Sequence, residues 1–233
     1  MSSALTVDGL RFRFAGQRGF HLSVDAFELG AGERLFLVGP SGSGKSTLLS
    51  LLCGIATPTE GSVTALGKPF STLSGPRRDR FRAEHFGVIF QMFNLLPYAT
   101  ALDNVLLPLG FAPDRRRRLG PRARDEARRL LDELGLPSAA TEHGPAANLS
   151  VGQQQRVAVA RALIGAPEIL IADEPTSALD SDTQDAFLAL LFDQLEVQGG
   201  ALLMVSHDAR LADRFDRTVR LTDIARTGET ARP

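Results

Sequence analysis

Gly39-Pro40-Ser41-Gly42-Ser43-Gly44-Lys45-Ser46 fits the spacing G-x-x-x-x-G-K-[ST], a set of residue types suited to gripping a chain of phosphates. Glycines let the backbone turn tightly and approach phosphate oxygens with no Cβ in the way. Successive N–H groups form an anion nest, and a helix starting there adds its positive end. Lys45 is placed to reach the β- and γ-phosphates and the Ser46 hydroxyl to ligate Mg²⁺, with Thr47 counted among the nucleotide contacts. Lys45 and Lys68 are the only lysines in a chain that otherwise uses arginine for permanent positive charge. A lysine kept against that bias suits a site wanting a compact point charge rather than a planar fork. The alternative is a glycine-rich turn with an accidental lysine, and the strand before it and helix after it argue against that.

A second constellation lies downstream. Ile169-Leu170-Ile171-Ala172 is an apolar run that delivers Asp173 and Glu174 at its end. Ligands of open α/β sheets bind just outside the carboxyl ends of the strands. Asp173 is therefore expected to hold Mg²⁺, directly or through water, and Glu174 to polarise an attacking water. Adjacent side chains on an extended strand point to opposite sides, which would let one serve the metal and the other the water. Taken alone, an ordinary strand end with solvated acids explains the pair equally well.

These residues need a scaffold. Arg34 to Val38 reads as a buried strand stopping at Gly39, and Lys45 to Gly54 as the helix that follows. Leu5 to Val7, Leu10 to Phe14 and the alternating Leu22, Val24 and Ala26 read as strands. Gly61 to Leu66 and Phe86 to Phe90 are further strands, separated by the polar, Arg-rich Pro76 to His85. From Thr100 the chain turns helical. Thr100-Ala101-Leu102-Asp103 matches a capping pattern, and Arg122 to Leu134 is amphipathic and ends at Gly135-Leu136-Pro137. A helix from Gly152 to Ile164, strand Ile169 to Ala172, helix Asp182 to Val197, strand Ala201 to Val205 and a closing strand near Thr218 to Leu221 complete the pass. Alternating strands and helices argue an α/β class with a mainly parallel sheet.

Composition narrows the function. The formal net charge is −1, whereas a nucleic-acid-binding domain carries a basic excess. No apolar stretch reaches the ~18–20 residues needed to cross a bilayer, and Met1 to Asp8 lacks the regions of a signal peptide. Cys53 is the only cysteine, which excludes an internal disulfide, and its leucine neighbours make it core filling. Arg115 to Arg118 invites a nucleic-acid or anionic-lipid reading; near-neutral net charge favours a solvated loop instead.

Asn148-Leu149-Ser150-Val151-Gly152-Gln153-Gln154-Gln155-Arg156, lying between the phosphate loop and Asp173-Glu174, resembles the LSGGQ signature of ABC-transporter ATPases, and the resemblance covers essentially the whole chain. It implies an α/β fold: a P-loop NTPase core with a mainly parallel sheet, an N-terminal antiparallel β subdomain and an inserted α-helical signature subdomain. In residues, 1–91 and 166–233 form the ATP-binding core and 92–165 the helical part. By the same resemblance Phe14, with Phe12 and Phe20 as rivals, stacks on adenine, and Gln91 senses Mg²⁺ and the water. Asp180, in Ser177-Ala178-Leu179-Asp180, belongs to the D-loop, and His207 is the switch histidine at the γ-phosphate. The cofactors implied are ATP and Mg²⁺.

Ser150 is a good N-cap, and the helix start with Gly152 and Gln153 presents N–H groups to an anion. One nucleotide needs only one phosphate loop, so the second anion-directed helix suits another copy's nucleotide. The family arrangement implies a head-to-tail dimer enclosing two ATP molecules. Val151 departs from the family pattern, where glycine is usual. It is expected to take an ordinary conformation, with weaker ATP-driven dimerisation as the open consequence.

Phe90 to Pro97, Asp103-Asn104-Val105, Leu107-Pro108-Leu109 and His143-Gly144-Pro145 look closest to the lipoprotein-releasing and macrolide-exporter branch. That implies an integral membrane permease contacted near Gln91 to Pro97, and a cytoplasmic position on the inner face of the membrane. A cell-division ATPase signalling through a membrane partner is the alternative, and a soluble ABC ATPase of repair or translation a lesser one.

Overall fold

A computed structural model describes residues 2–14, 20–40, 42–136, 141–176 and 181–229. The chain divides into two compact units, 1–82 with 201–233, and 83–200. The first contains β1 (Ser3–Arg13), β2 (Phe20–Gly30), β3 (Arg34–Val38), α1 (Lys45–Leu52), β4 (Glu60–Ala65) and most of α2 (Gly75–His85). The second contains β5 (Phe86–Ile89), α3 (Ala101–Leu106), α4 (Pro113–Leu119), α5 (Ala123–Glu133), α6 (Val151–Leu163), β6 (Ile169–Asp173) and α7 (Ser181–Gln198). The chain then returns to the first unit as β7 (Ala201–Ser206), β8 (Arg217–Arg220), α8 (Leu221–Ile224) and β9 (Ala225–Glu229). No helix among the described residues is long and apolar enough to cross a membrane.

The first unit holds an antiparallel sheet in the order β4-β1-β2-β9 and a parallel set in which β3 pairs with both β7 and β8. Leu35, Phe36, Leu37 and Leu202 to Val205 are fully buried, as near-continuous apolar runs in a parallel sheet should be. Cys53 is buried beside Leu51 and Leu52, in keeping with core filling.

Two elements depart from the sequence expectation. The stretch Pro76 to His85 is helical, although Phe81 and Ala83 are its only apolar residues. Its anchor is polar: Arg78 Nε and Arg82 Nη1 donate to the Gly54 carbonyl at 3.0 and 3.2 Å, while Phe81 stacks on buried Phe70. Strand β9 is short and polar, with no apolar alternation to announce it, and exists through its pairing along β2 from Val24 to Phe20.

In the second unit β5 and β6 pair in parallel. Thr100 caps α3, its hydroxyl accepting from Asp103 N at 3.0 Å. The run Arg115 to Arg118 corrects the solvated-loop expectation. It lies on α4, and Arg115 is one of the largest fully buried side chains. Its Nη1 donates to the carbonyls of Ala83 and Phe86 at 3.0 and 3.3 Å, and its Nη2 to that of Ile164. Glu84 accepts from the backbone N–H groups of Asp114 and Arg115. Burial, and secondarily the neighbouring Arg118 charge, lowers the Arg115 pKa to about 10. Arg115→Ala strands two buried carbonyls and a part-buried one and should cost about 2–4 kcal/mol of stability in urea unfolding. Exposed Arg116 replaced by alanine should change stability by less than about 0.5 kcal/mol.

Candidate nucleotide-binding site

Within the first unit, Val38 of β3 faces Ser206 of β7, so Gly39 and His207 leave neighbouring strand ends at one edge. The loop that follows depends on glycine. Gly44 is left-handed at φ 95, and a Cβ there would lie 3.2 Å from Thr227 Cγ2 and 3.3 Å from Phe20 Cζ. Any other residue would be both strained and crowded. Lys45 is only 6% exposed, and its ammonium donates to the carbonyls of Gly39 and Pro40 at 2.8 and 3.0 Å. The Ser43 hydroxyl closes the turn onto Pro40 O at 2.7 Å. Ser46 is exposed and Thr47 half-buried on the first turn of α1; Ser41 lies outside the described residues.

Phe12 and Phe14 meet edge to face with centroids 4.8 Å apart, and Phe20 lies 5.9 Å beyond Phe14. Phe12 is buried whereas Phe14 is 42% exposed, so Phe14 has the open aromatic face. His207 is exposed. Its neighbour Asp208 is held below the usual carboxylate range by the Arg210 guanidinium.

Within the second unit, Ile89 of β5 faces Ala172 of β6, so Gln91 and Asp173 also issue from adjacent strand ends. Gln91 is exposed in the turn after β5, and Asp173 closes β6. Glu174 departs from the extended geometry expected of it: its φ is 45, so a backbone turn, rather than strand alternation, separates it from Asp173. The Pro175 carbonyl behind it accepts from Gln155 Nε2 at 2.5 Å.

Gln155 belongs to α6, which the signature peptide begins. Ser150 caps this helix in a reciprocal box: its Oγ accepts from Gln153 N at 3.3 Å, and Gln153 Oε1 accepts from Ser150 N at 2.9 Å. Val151 opens the helix without a positive φ, the ordinary conformation expected where the family has glycine. It is 54% exposed, and a Cβ at Gly152 would meet open space. Asp180, with Ser177 to Leu179, lies outside the described residues.

Sequence reasoning passed over several residues that hold this unit together. Gln155 and Arg161 of α6 are buried, as is Asn104 of α3. Asn104 stands out in the sequence only as part of Asp103-Asn104-Val105, with nothing to announce its buried anchoring role, and an arginine among alanines gives no signal.

A family model for the ABC transporter matches residues 22–177. The chain belongs to the ABC transporter family. The lipoprotein-releasing system ATP-binding protein LolD of Syntrophotalea carbinolica is 45% identical over 201 residues, covering 86% of each chain. The macrolide export ATP-binding/permease protein MacB of Rhodopirellula baltica is 43% identical over 206 residues, which are 88% of this chain but 29% of that one. Among solved structures, a dimeric post-hydrolysis state of the ATP-binding cassette MJ0796 bound to ADP and Pi is 34% identical, with a TM-score of 0.79 over 93% of both chains. This ABC chain has the P-loop NTPase fold and is a nucleotide-binding ATPase working on Mg·ATP. Ser46 in the first unit, and Gln91 and Asp173 in the second, each carry an oxygen of the hard kind that Mg²⁺ prefers. Among the described residues no group of three or more His, Cys, Asp or Glu could hold a metal, and Mg²⁺ usually takes one or two carboxylates plus substrate phosphates.

Proposed function

We propose that two copies of this chain close head to tail around two Mg·ATP, and that closure and hydrolysis drive a separate membrane permease of the lipoprotein-releasing or macrolide-exporting kind. The observation carrying this is the signature helix. Its cap is completed within its own chain, yet its first turn presents exposed Val151 and open space at Gly152. A helix start so finished and so accessible suits the phosphates of another copy's nucleotide. Reciprocal use of phosphate loop and signature makes an isologous, closed two-fold dimer. The dimeric cassette MJ0796 and the relatives LolD and MacB support the reading.

In this reading the backbone of Gly39 to Gly44, Lys45 and Thr47 hold the phosphates, and Phe14 stacks on the base. Ser46, Asp173 and Gln91 would hold Mg²⁺, which would supply neutralising charge at the phosphates. Glu174 takes a proton from water, His207 steadies the γ-phosphate, and Ser150, Gly152, Gln153 and Asp180 complete the partner's site. Residues 92–165 act as the helical subdomain. Exposed Met92 and Tyr98, after Gln91, receive the permease at the cytoplasmic face of the inner membrane; nucleic acid has no part.

The test is the oligomeric state with hydrolysis blocked. Glu174→Gln should elute from gel filtration as a dimer in saturating Mg·ATP and as a monomer once EDTA is added. Adding Ser150→Arg should abolish the dimer. A monomer under saturating nucleotide would overturn the proposal.

A further inference from the structure

Phe93 and Asn94, just beyond Gln91, both have left-handed backbones, with φ 57 and 50. Asparagine tolerates that region; phenylalanine does so only when its surroundings impose it. The imposing group is on the signature helix. Arg161 Nη1 donates to the Asn94 carbonyl at 2.7 Å and Nη2 to the adjacent Phe93 carbonyl. The side chain is 8% exposed, and burial lowers its pKa. A planar fork with parallel N–H groups can hold two successive carbonyls at once, which a lysine ammonium cannot do with the same rigidity.

The rest of the loop is held from α3. Asn104, fully buried, accepts from Leu96 N at 2.7 Å and donates to the carbonyls of Leu96 and Thr100 at 3.1 and 2.9 Å. Met92 and Tyr98 stay 80% and 78% exposed, so the segment is anchored by its backbone and leaves side chains outward. Arg161 lies about three turns along the helix from the Ser150 cap. Gln155, between them, holds the Pro175 carbonyl beyond Glu174.

We infer that Arg161 is a positioning residue that makes the segment 92–98 and the signature helix one mechanical body. This rests on the sandwich dimer proposed above. When a nucleotide engages the start of α6, the helix carries the 93–94 carbonyls with it, and the outward side chains of the segment follow. Without the fork the left-handed pair relaxes, and the signature can engage without reorienting the segment.

Amide hydrogen exchange on the full chain carrying Glu174→Gln, with and without Mg·ATP, tests this. Without nucleotide, adding Arg161→Gln should speed exchange at the Phe93 and Asn94 amides about tenfold, and at Val157 to Leu163 by less than about twofold. With Mg·ATP, the parent should slow at Val151 to Gln154 and at Phe93 and Asn94, whereas the Arg161→Gln protein should slow at the signature alone. Arg161→Lys should fall between the two, and it decides the matter if the glutamine variant fails to fold. Equal nucleotide-dependent slowing at Phe93 and Asn94 with and without the arginine would overturn the inference, as would slowing at the parent's signature alone. No slowing at the parent's signature would sink the sandwich dimer itself, and the inference with it.

Discussion

Replacing Glu174 by glutamine should lower steady-state ATP turnover about a thousandfold while ATP affinity stays within about twofold, the size of effect expected for a general base. Glutamine keeps the shape of the side chain and removes the acceptor of the water's proton. The backbone that aims it should survive the change. Glu174 already sits at φ 45, and the carbonyl of Pro175 is fastened by buried Gln155, a contact that the glutamine variant keeps. Phosphate release and calorimetric ATP titration on the same preparation separate chemistry from binding. Turnover at the parental rate would remove Glu174 from the role of base.

Lys45→Ala should weaken Mg·ATP binding at least about a hundredfold, in line with truncating one partner of a buried, charge-assisted contact. The ammonium now bridges the Gly39 and Pro40 carbonyls from a nearly buried position. It therefore needs little rearrangement to reach phosphate oxygens entering the same loop. Loss of those two charge-assisted carbonyl bonds should cost about 2–3 kcal/mol of stability, less than the ~5–15 kcal/mol of a typical domain, so the variant should still fold, and calorimetry on folded protein reads affinity alone. Unchanged affinity would remove Lys45 from the nucleotide site.

The residues proposed for chemistry were legible because each answers a local demand. Glycine at 44 meets a left-handed turn and crowding by Phe20 and Thr227, and serine at 150 meets unsatisfied N–H groups at a helix start. Spacing alone reports such demands. Glu174 shows the limit of the same logic: strand alternation was the natural reading of Asp173-Glu174, but the strand ends one residue earlier. Helix α2 and strand β9 were not legible, because Gly54, which anchors one, and β2, which pairs with the other, are far away in the chain.

The phosphate loop, the acid pair and the capped signature helix are thus properties of the sequence itself, since short-range backbone chemistry selects their residue types. The tertiary structure alone decided what the arginines do. Arg115 reads like its neighbours Arg116 to Arg118, yet it is the one buried against carbonyls up to 49 positions away. Arg161 reads like a helix-surface residue, yet it holds the loop beyond Gln91. A long guanidinium takes its partner from whichever backbone the fold leaves unpaired nearby. That is settled only when distant segments are packed together, and no local pattern records it.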